Sequence, residues 1–157
     1  MKTQTEQTDN RANRRRHPPA KARKDGPASG KKLLLVDDDL CMREITEHLL
    51  NESGYACTAA ESARKAIDRL QRDQFDLVIT DLHMPDIDGM ALLEWIKRRL
   101  PKTKVMIMTG DADQGLKSHA LQRGVANYLI KPFTLETFLR EIEGSLTTKS
   151  MRQPNND

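Results

Sequence analysis

Polar residues of three kinds stand where four apolar runs stop. Leu33-Leu34-Leu35-Val36 ends on Asp37-Asp38-Asp39, and Leu77-Val78-Ile79-Thr80 ends on Asp81. Val105-Met106-Ile107-Met108 ends on Thr109, and Tyr128-Leu129-Ile130 ends on Lys131. Short apolar runs rich in β-branched residues and bounded by turn residues read as buried strands. In an open parallel sheet, the groups at the strands' carboxyl ends share the edge where ligands bind. Asp37, Asp38 and Asp81 crowded on that edge repel one another, and crowding raises a carboxylate pKa. A divalent cation relieves the repulsion. An all-oxygen site with few protein ligands suits Mg²⁺, which keeps several waters and meets phosphate oxygens. A lysine and a hydroxyl beside it can hold the oxygens of a phosphoryl group in transfer. A carboxylate can then attack phosphorus, which would make Asp81 the seat of an aspartyl phosphate.

Each residue also has a plainer reading. A lone Asp after a strand is usually a turn residue or a helix cap. Asp39, Asp86 and Asp88 fit that description, and Asp111 reads as the cap of the fourth helix. Thr109 alone is a strand-end hydroxyl, and Lys131 alone a solvated amine. The combination at four strand ends carries the chemical reading.

Positioning these groups takes alternating elements. Strands are predicted at residues 33–36, 55–60, 75–80, 104–109 and 127–130. Helices are predicted at 40–51, 61–72, 90–100, 111–123 and from 135 to about 147. Ile45, Leu49 and Leu50 sit with Met42 on one face of the first helix. Gly54 and Gly124 end helices, and Pro101 stops the third. Gly115 and Ser118 make the fourth the weakest helical stretch. Strand–helix alternation in units of this length predicts an α/β fold, with a parallel sheet covered by helices on both faces.

Composition sets further bounds. The 157 residues carry a net charge of +3, unevenly spread. Residues 1–32 hold ten Lys/Arg against three Asp/Glu, and residues 33–157 hold sixteen against twenty. Residues 1–30, almost without apolar side chains, read as a disordered basic arm. Within residues 11–24 the charge invites contact with nucleic acid or acidic headgroups, although no aromatic residue interleaves it for base stacking. Residues 31–148 are expected to fold and 149–157 to fray. Cys41 and Cys57 show no disulfide or metal spacing and read as small packing residues. No apolar run spans a membrane, and a cytoplasmic location is the default expectation.

The motifs LLLVDDD, DLHMPDIDG, VMIMTG and YLIKPF, in that order and spacing, resemble the receiver domains of bacterial two-component response regulators. The resemblance covers about residues 32–147. It implies a flavodoxin-like (βα)5 sheet of five parallel strands in the order 2-1-3-4-5. It implies that Asp81 is the phosphoacceptor, and that Asp37, Asp38, Asp81 and the backbone carbonyl of His83 hold Mg²⁺. Asp38 would touch the metal directly and Asp37 through water. It implies that Thr109 is the switch hydroxyl, Lys131 the lysine on a phosphoryl oxygen, and Tyr128 the aromatic switch. His83 and Asp111 would flank the path of hydrolytic water and tune phosphoryl lifetime. Lys131-Pro132 would be a cis peptide. The donor would be a histidine kinase or histidine phosphotransfer protein.

With few residues after Lys131, a stand-alone receiver is expected. It would signal to a protein partner through residues 112–123, 127–130 and 135–147, and it would not be an enzyme in its own right. Two other readings stay open. One is a nucleic-acid-binding regulator working through the basic arm. The other is an aspartyl-nucleophile phosphatase, disfavoured because position 83, where such sites place a second acid, is histidine.

Overall fold

The structure, a computed structural model, describes residues 30–147. The basic arm, its 11–24 segment and the 149–157 tail therefore lie outside the described residues. Ten elements alternate without exception. They are β1 (Lys32–Val36), α1 (Leu40–Glu52), β2 (Ala56–Ala60), α2 (Ala63–Leu70), β3 (Leu77–Asp81), α3 (Gly89–Arg99), β4 (Lys104–Thr109), α4 (Gln114–Gln122), β5 (Asn127–Ile130) and α5 (Leu135–Thr147). The strands form one sheet in the order β2-β1-β3-β4-β5. Every adjacent pair is parallel. The order expected from the resemblance is the order observed.

Continuous apolar strands follow from burial on both faces. Leu33, Leu34, Leu35 and Val36 are all fully buried. Leu34 and Val36 join Val78, Val105 and Ile107 in a core completed by Leu92, Leu93 and Ile96 of α3 and Ala120 of α4. Leu33 and Leu35 join Leu77, Ile79, Met106 and Met108 in a second core, closed by Leu50 of α1 and Phe138 and Ile142 of α5. Each such aliphatic side chain contributes about 1.5–3 kcal/mol on full burial.

The first helix turns most of its apolar face to solvent. Only Leu50 of α1 is buried, while Met42 is 41% exposed, Ile45 56% and Leu49 37%. The inward side is polar instead. Arg43 donates through Nη1 to the Asp37 carbonyl at 2.8 Å. Glu47 accepts from the Ala59 amide at 3.0 Å, and Asn51 pairs with both the amide and the carbonyl of Cys57. β2 is an edge strand whose outer amide and carbonyl groups need partners, and α1 supplies them. The spacing of the apolar residues is helical, as read, but they face outward. Cys41 shares this exposure and is no packing residue, whereas Cys57 is buried.

Local polar competition moves other boundaries inward. Ser62 caps α2 by accepting from the Lys65 amide, so that helix starts two residues later than expected. The cap of α4 is Asp113, whose carboxylate accepts from the amides of Gly115 and Leu116; Asp111 is not that cap. No helix among the described residues is long and apolar enough to cross a membrane.

Candidate functional site at the carboxyl edge of the sheet

Asp81 is the last residue of β3. The turn after it is held by backbone geometry. Asp86 adopts a left-handed φ of 66°, and the Ile87 amide reaches back to the Pro85 carbonyl at 2.8 Å. Asp88 then caps α3 by accepting from the Ala91 amide at 2.8 Å. The Gly89 amide donates to the Leu82 carbonyl at 2.8 Å. A Cβ at position 89 would lie 2.4 Å from the Asp81 carbonyl oxygen. Glycine there lets α3 start directly against the backbone of Asp81.

Both oxygens of Asp81 are engaged. Oδ2 accepts from Lys131 Nζ at 3.1 Å, across fifty residues of sequence. Oδ1 accepts from the His83 amide at 3.3 Å. The Asp81 side chain is 16% exposed and that of Lys131 24% exposed, so the pair is sheltered yet reachable. Lys131 is placed by β5, where its amide donates to the Thr109 carbonyl at 2.7 Å, and by a cis Lys131-Pro132 bond.

Asp37 lies behind this pair and is 2% exposed. Its Oδ1 accepts from the Asp39 amide at 2.9 Å. Oδ2 sits 3.7 Å from Lys131 Nζ and has no hydrogen-bond partner. Burial raises the Asp37 pKa above its ordinary value, the Asp39 amide and Lys131 pull it down, and the Asp81 and Asp38 carboxylates push it up again. Asp38 is exposed at the rim, and Asp39 caps α1 by accepting from the Met42 amide at 3.0 Å.

Thr109 ends β4 and is fully buried. Its hydroxyl oxygen accepts from the Asp111 amide at 3.1 Å, leaving the hydroxyl hydrogen available. Asp111 accepts from the Asp113 amide and pairs with His83 Nε2 at 3.1 Å. Those two bonds hold the Asp111 carboxyl below its ordinary pKa. The His83–Asp111 pair spans the two strand ends beside the acceptor. Tyr128 is 5% exposed, so its ring already lies inward without any modification of Asp81. Its hydroxyl is buried without a partner. Burial, then Asp111, Asp113 and Asp81, push its pKa up.

The structure thus brings Asp37, Asp81 and Lys131 into one cluster, sets Thr109 and Tyr128 on the neighbouring strands, and leaves Asp38 at the rim. Among the described residues, no three His, Cys, Asp or Glu side chains converge as a metal cluster. The donor set is nevertheless oxygen-rich, and the buried, unpartnered Oδ2 of Asp37 is the atom a hard cation would satisfy. Few side-chain ligands supplemented by backbone and water is how Mg²⁺ is ordinarily held. Sequence reasoning did not foresee the His83–Asp111 contact or the inward polar face of α1. The signal for the second was present as Arg43 and Glu47 at i and i+4, the spacing that shares a helix face.

Comparison with known proteins agrees with this architecture. Residues 33–143 match the family model "Response regulator receiver domain". The chain is 37% identical over 123 residues to the DNA-binding transcriptional regulator NtrC of Proteus hauseri, covering 78% of this chain and 26% of that protein. It is 40% identical over 110 residues to the response regulator protein FleR of Pseudomonas aeruginosa, covering 69% of this chain and 23% of that one. The chain therefore spans about a quarter of the length of the curated relatives it matches. Among solved structures, a CheY-like receiver domain protein from Methanospirillum hungatei superposes with a TM-score of 0.71 at 30% identity, over 75% of this chain and 94% of that one. The chemotaxis response regulator CheY4 of Vibrio cholerae gives 0.70 at 28% identity, over 75% of this chain and 100% of that one. With a five-stranded 2-1-3-4-5 sheet and a lysine-bound aspartate at its carboxyl edge, this chain belongs to the response regulator receiver domain family.

Proposed function

We propose that Asp81 accepts a phosphoryl group from a histidine kinase or histidine phosphotransfer protein in a Mg²⁺-dependent reaction. The observation that carries this reading is the Asp81 carboxylate, held between Lys131 Nζ and the His83 amide with the unpartnered Asp37 Oδ2 behind it. An Asp81 oxygen attacks phosphorus, the bond from phosphorus to the donor imidazole nitrogen breaks, and that nitrogen keeps the electron pair. The Lys131 ammonium, already against Asp81, moves onto a phosphoryl oxygen and offsets its charge. The Asp37, Asp38 and Asp81 carboxylates with the His83 backbone carbonyl would hold Mg²⁺, which when bound neutralises charge on the transferring group.

The Thr109 hydroxyl only accepts in the present arrangement, so it can turn its hydrogen toward a phosphoryl oxygen. That motion breaks its bond to the Asp111 amide and loosens the entry to α4. Tyr128, buried beside it, is the packing element such a change would reset. The population shift then reaches residues 112–123, 127–130 and 135–147, the face read by a protein partner. Action as a stand-alone receiver is part of this proposal and not of the family assignment, since the relatives extend well beyond the matched quarter of their length.

The outward apolar stripe of α1 supports a protein donor. Met42, Ile45 and Leu49 run along one face of a helix that begins at the rim of the acidic site. A donor helix laid on that stripe would place its histidine over Asp81.

The test is incubation with Mg²⁺ and acetyl phosphate or a phosphorylated donor, followed by intact mass analysis. The wild type should gain one phosphoryl group, labile to hydroxylamine, and Asp81→Asn none. Equal labelling of Asp81→Asn would defeat the assignment.

A further inference from the structure

The opposite edge of the sheet is chemically the inverse of the site. A cleft of about 880 Å³ opens there, where β1, β3 and β4 begin. Lys31, Lys32, Arg99, Lys102 and Lys104 line it against one carboxylate, Asp76. Asp76 is already committed: it pairs with Lys31 Nζ at 3.3 Å and accepts from the Lys32 amide at 2.8 Å. Lys104 donates to the Leu146 carbonyl at 2.5 Å. Burial, then the Lys31 ammonium, hold Lys104 below its ordinary pKa, with Asp76 opposing. The cleft therefore carries a positive field that its own acid does not cancel. At the carboxyl edge stand Asp37, Asp38, Asp39, Asp81, Asp86, Asp88, Asp111 and Asp113. A strand of five residues separates the two edges by about 16 Å. So polar a molecule draws a polyanion to one end and repels it from the other.

We propose that this cleft binds the phosphodiester backbone of a nucleic-acid strand, independently of phosphoryl transfer at Asp81. Three features select that partner. First, the rim offers cations from two separate chain segments, 31–32 and 99–104, so successive phosphates can be met along the trough. Second, the floor includes Phe75, Leu100, Pro101 and Leu146, an apolar surface suited to sugar and base faces and without use for a simple inorganic anion. Third, none of the exposed large hydrophobic residues Leu40, Met42, Ile45, Leu49, Leu121 and Leu135 lies in the cleft. A lipid surface would therefore find nothing to insert and would meet a concave wall.

The experiment uses the full chain and a fluorescein-labelled single-stranded oligonucleotide, with anisotropy followed between about 50 and 200 mM salt. Parallel titrations use a duplex of the same sequence, a free nucleoside triphosphate, and phosphatidylglycerol vesicles. The variants are Lys32→Glu/Arg99→Glu/Lys102→Glu in the cleft and Arg14→Ala/Arg15→Ala/Arg16→Ala in the arm. Wild type should bind oligonucleotide with a steep salt dependence. The cleft variant should bind at least about tenfold more weakly, with a log–log salt slope lower by roughly 2, about 0.7 for each lost single-strand contact. The arm variant should keep the part of the binding that the cleft variant loses. Circular dichroism melts and phosphoryl acceptance from acetyl phosphate should be unchanged in the cleft variant, separating loss of binding from loss of fold or of the Asp81 reaction. Unaltered oligonucleotide binding by the cleft variant overturns the proposal, as does binding of vesicles or free nucleotide alone.

Discussion

Gly89→Ala sets two local effects against each other at the phosphoacceptor itself. Position 89 is the first residue of α3, where exchanging glycine for alanine improves helix propensity by at most about 1 kcal/mol. The added Cβ, however, would lie 2.4 Å from the Asp81 carbonyl oxygen, 3.0 Å from Leu82 Cα and 3.2 Å from the Asp81 carbonyl carbon. All three are backbone atoms, so no side-chain rotation relieves the contact. Ordinary carbon contacts sit near 3.5–4.0 Å, so the segments must part by on the order of 1 Å. Overpacking of this kind costs about 1–3 kcal/mol, and parting also stretches the 2.8 Å bond from the Gly89 amide to the Leu82 carbonyl. The clash outweighs the propensity gain, for a net loss of about 2 kcal/mol. For a domain of this size that lowers Tm by roughly 6–10 °C. Gly144→Ala is the matched control, because it sits within α5 with nothing within 4 Å of its would-be Cβ. It should stabilise by about 0.5–1 kcal/mol. Thermal melts by circular dichroism measure both. Phosphorylation by acetyl phosphate, followed by intact mass, should slow in Gly89→Ala and not in Gly144→Ala. A Gly89→Ala variant that melts at or above the wild type, with normal phosphorylation, would refute the close-approach reasoning.

Asp37→Asn should stabilise the metal-free protein at neutral pH by on the order of 1 kcal/mol, since it removes a buried charge with an unpartnered oxygen. Because burial raises the Asp37 pKa above 3.8, the folded state holds this proton more tightly than the unfolded state. The stability contribution of this group is thus lost as pH rises from 3.8 through the folded value. The advantage of asparagine should therefore shrink toward zero below pH 3.8 in urea melts with EDTA, and a less stable variant at pH 7 would contradict the account. Thiol titration with Ellman's reagent should find one fast group, exposed Cys41, and one group that reacts only on unfolding. Cys57 is buried with its pKa pushed up to about 12; two fast thiols would contradict its placement. His83→Ala/Asp111→Ala removes the pair spanning the acceptor and should shorten the lifetime of the phosphorylated form, read by mass after donor removal. An unchanged lifetime would relieve both residues of that role.

Chain-local physics made much of this protein legible from its sequence. Fully apolar runs such as Leu33–Val36 can be satisfied only between two layers, so alternating runs and helices imply a parallel sheet covered on both sides. Parallel strands share one carboxyl edge, so Asp37, Asp81, Thr109 and Lys131 had to gather there. Motif resemblance supplied the strand order. Tertiary structure decided what depends on partners distant in sequence. Glu47 and Asn51 satisfy the outer edge of β2 and Arg43 the Asp37 carbonyl, which leaves Met42, Ile45 and Leu49 in solvent; helical periodicity identifies a face but does not say which way it points. Asp111 reads from the sequence as the cap of the fourth helix, but the His83 imidazole and the Asp113 amide take up its carboxylate and Asp113 caps α4. Tyr128 is already buried in the unmodified chain, which the sequence alone does not show. The amino-edge cleft joins cations from the start of β1 with those of the 99–104 stretch between α3 and β4. No single stretch of sequence shows that cluster, because only the sheet order, with β3 between β1 and β4, brings the two to one edge.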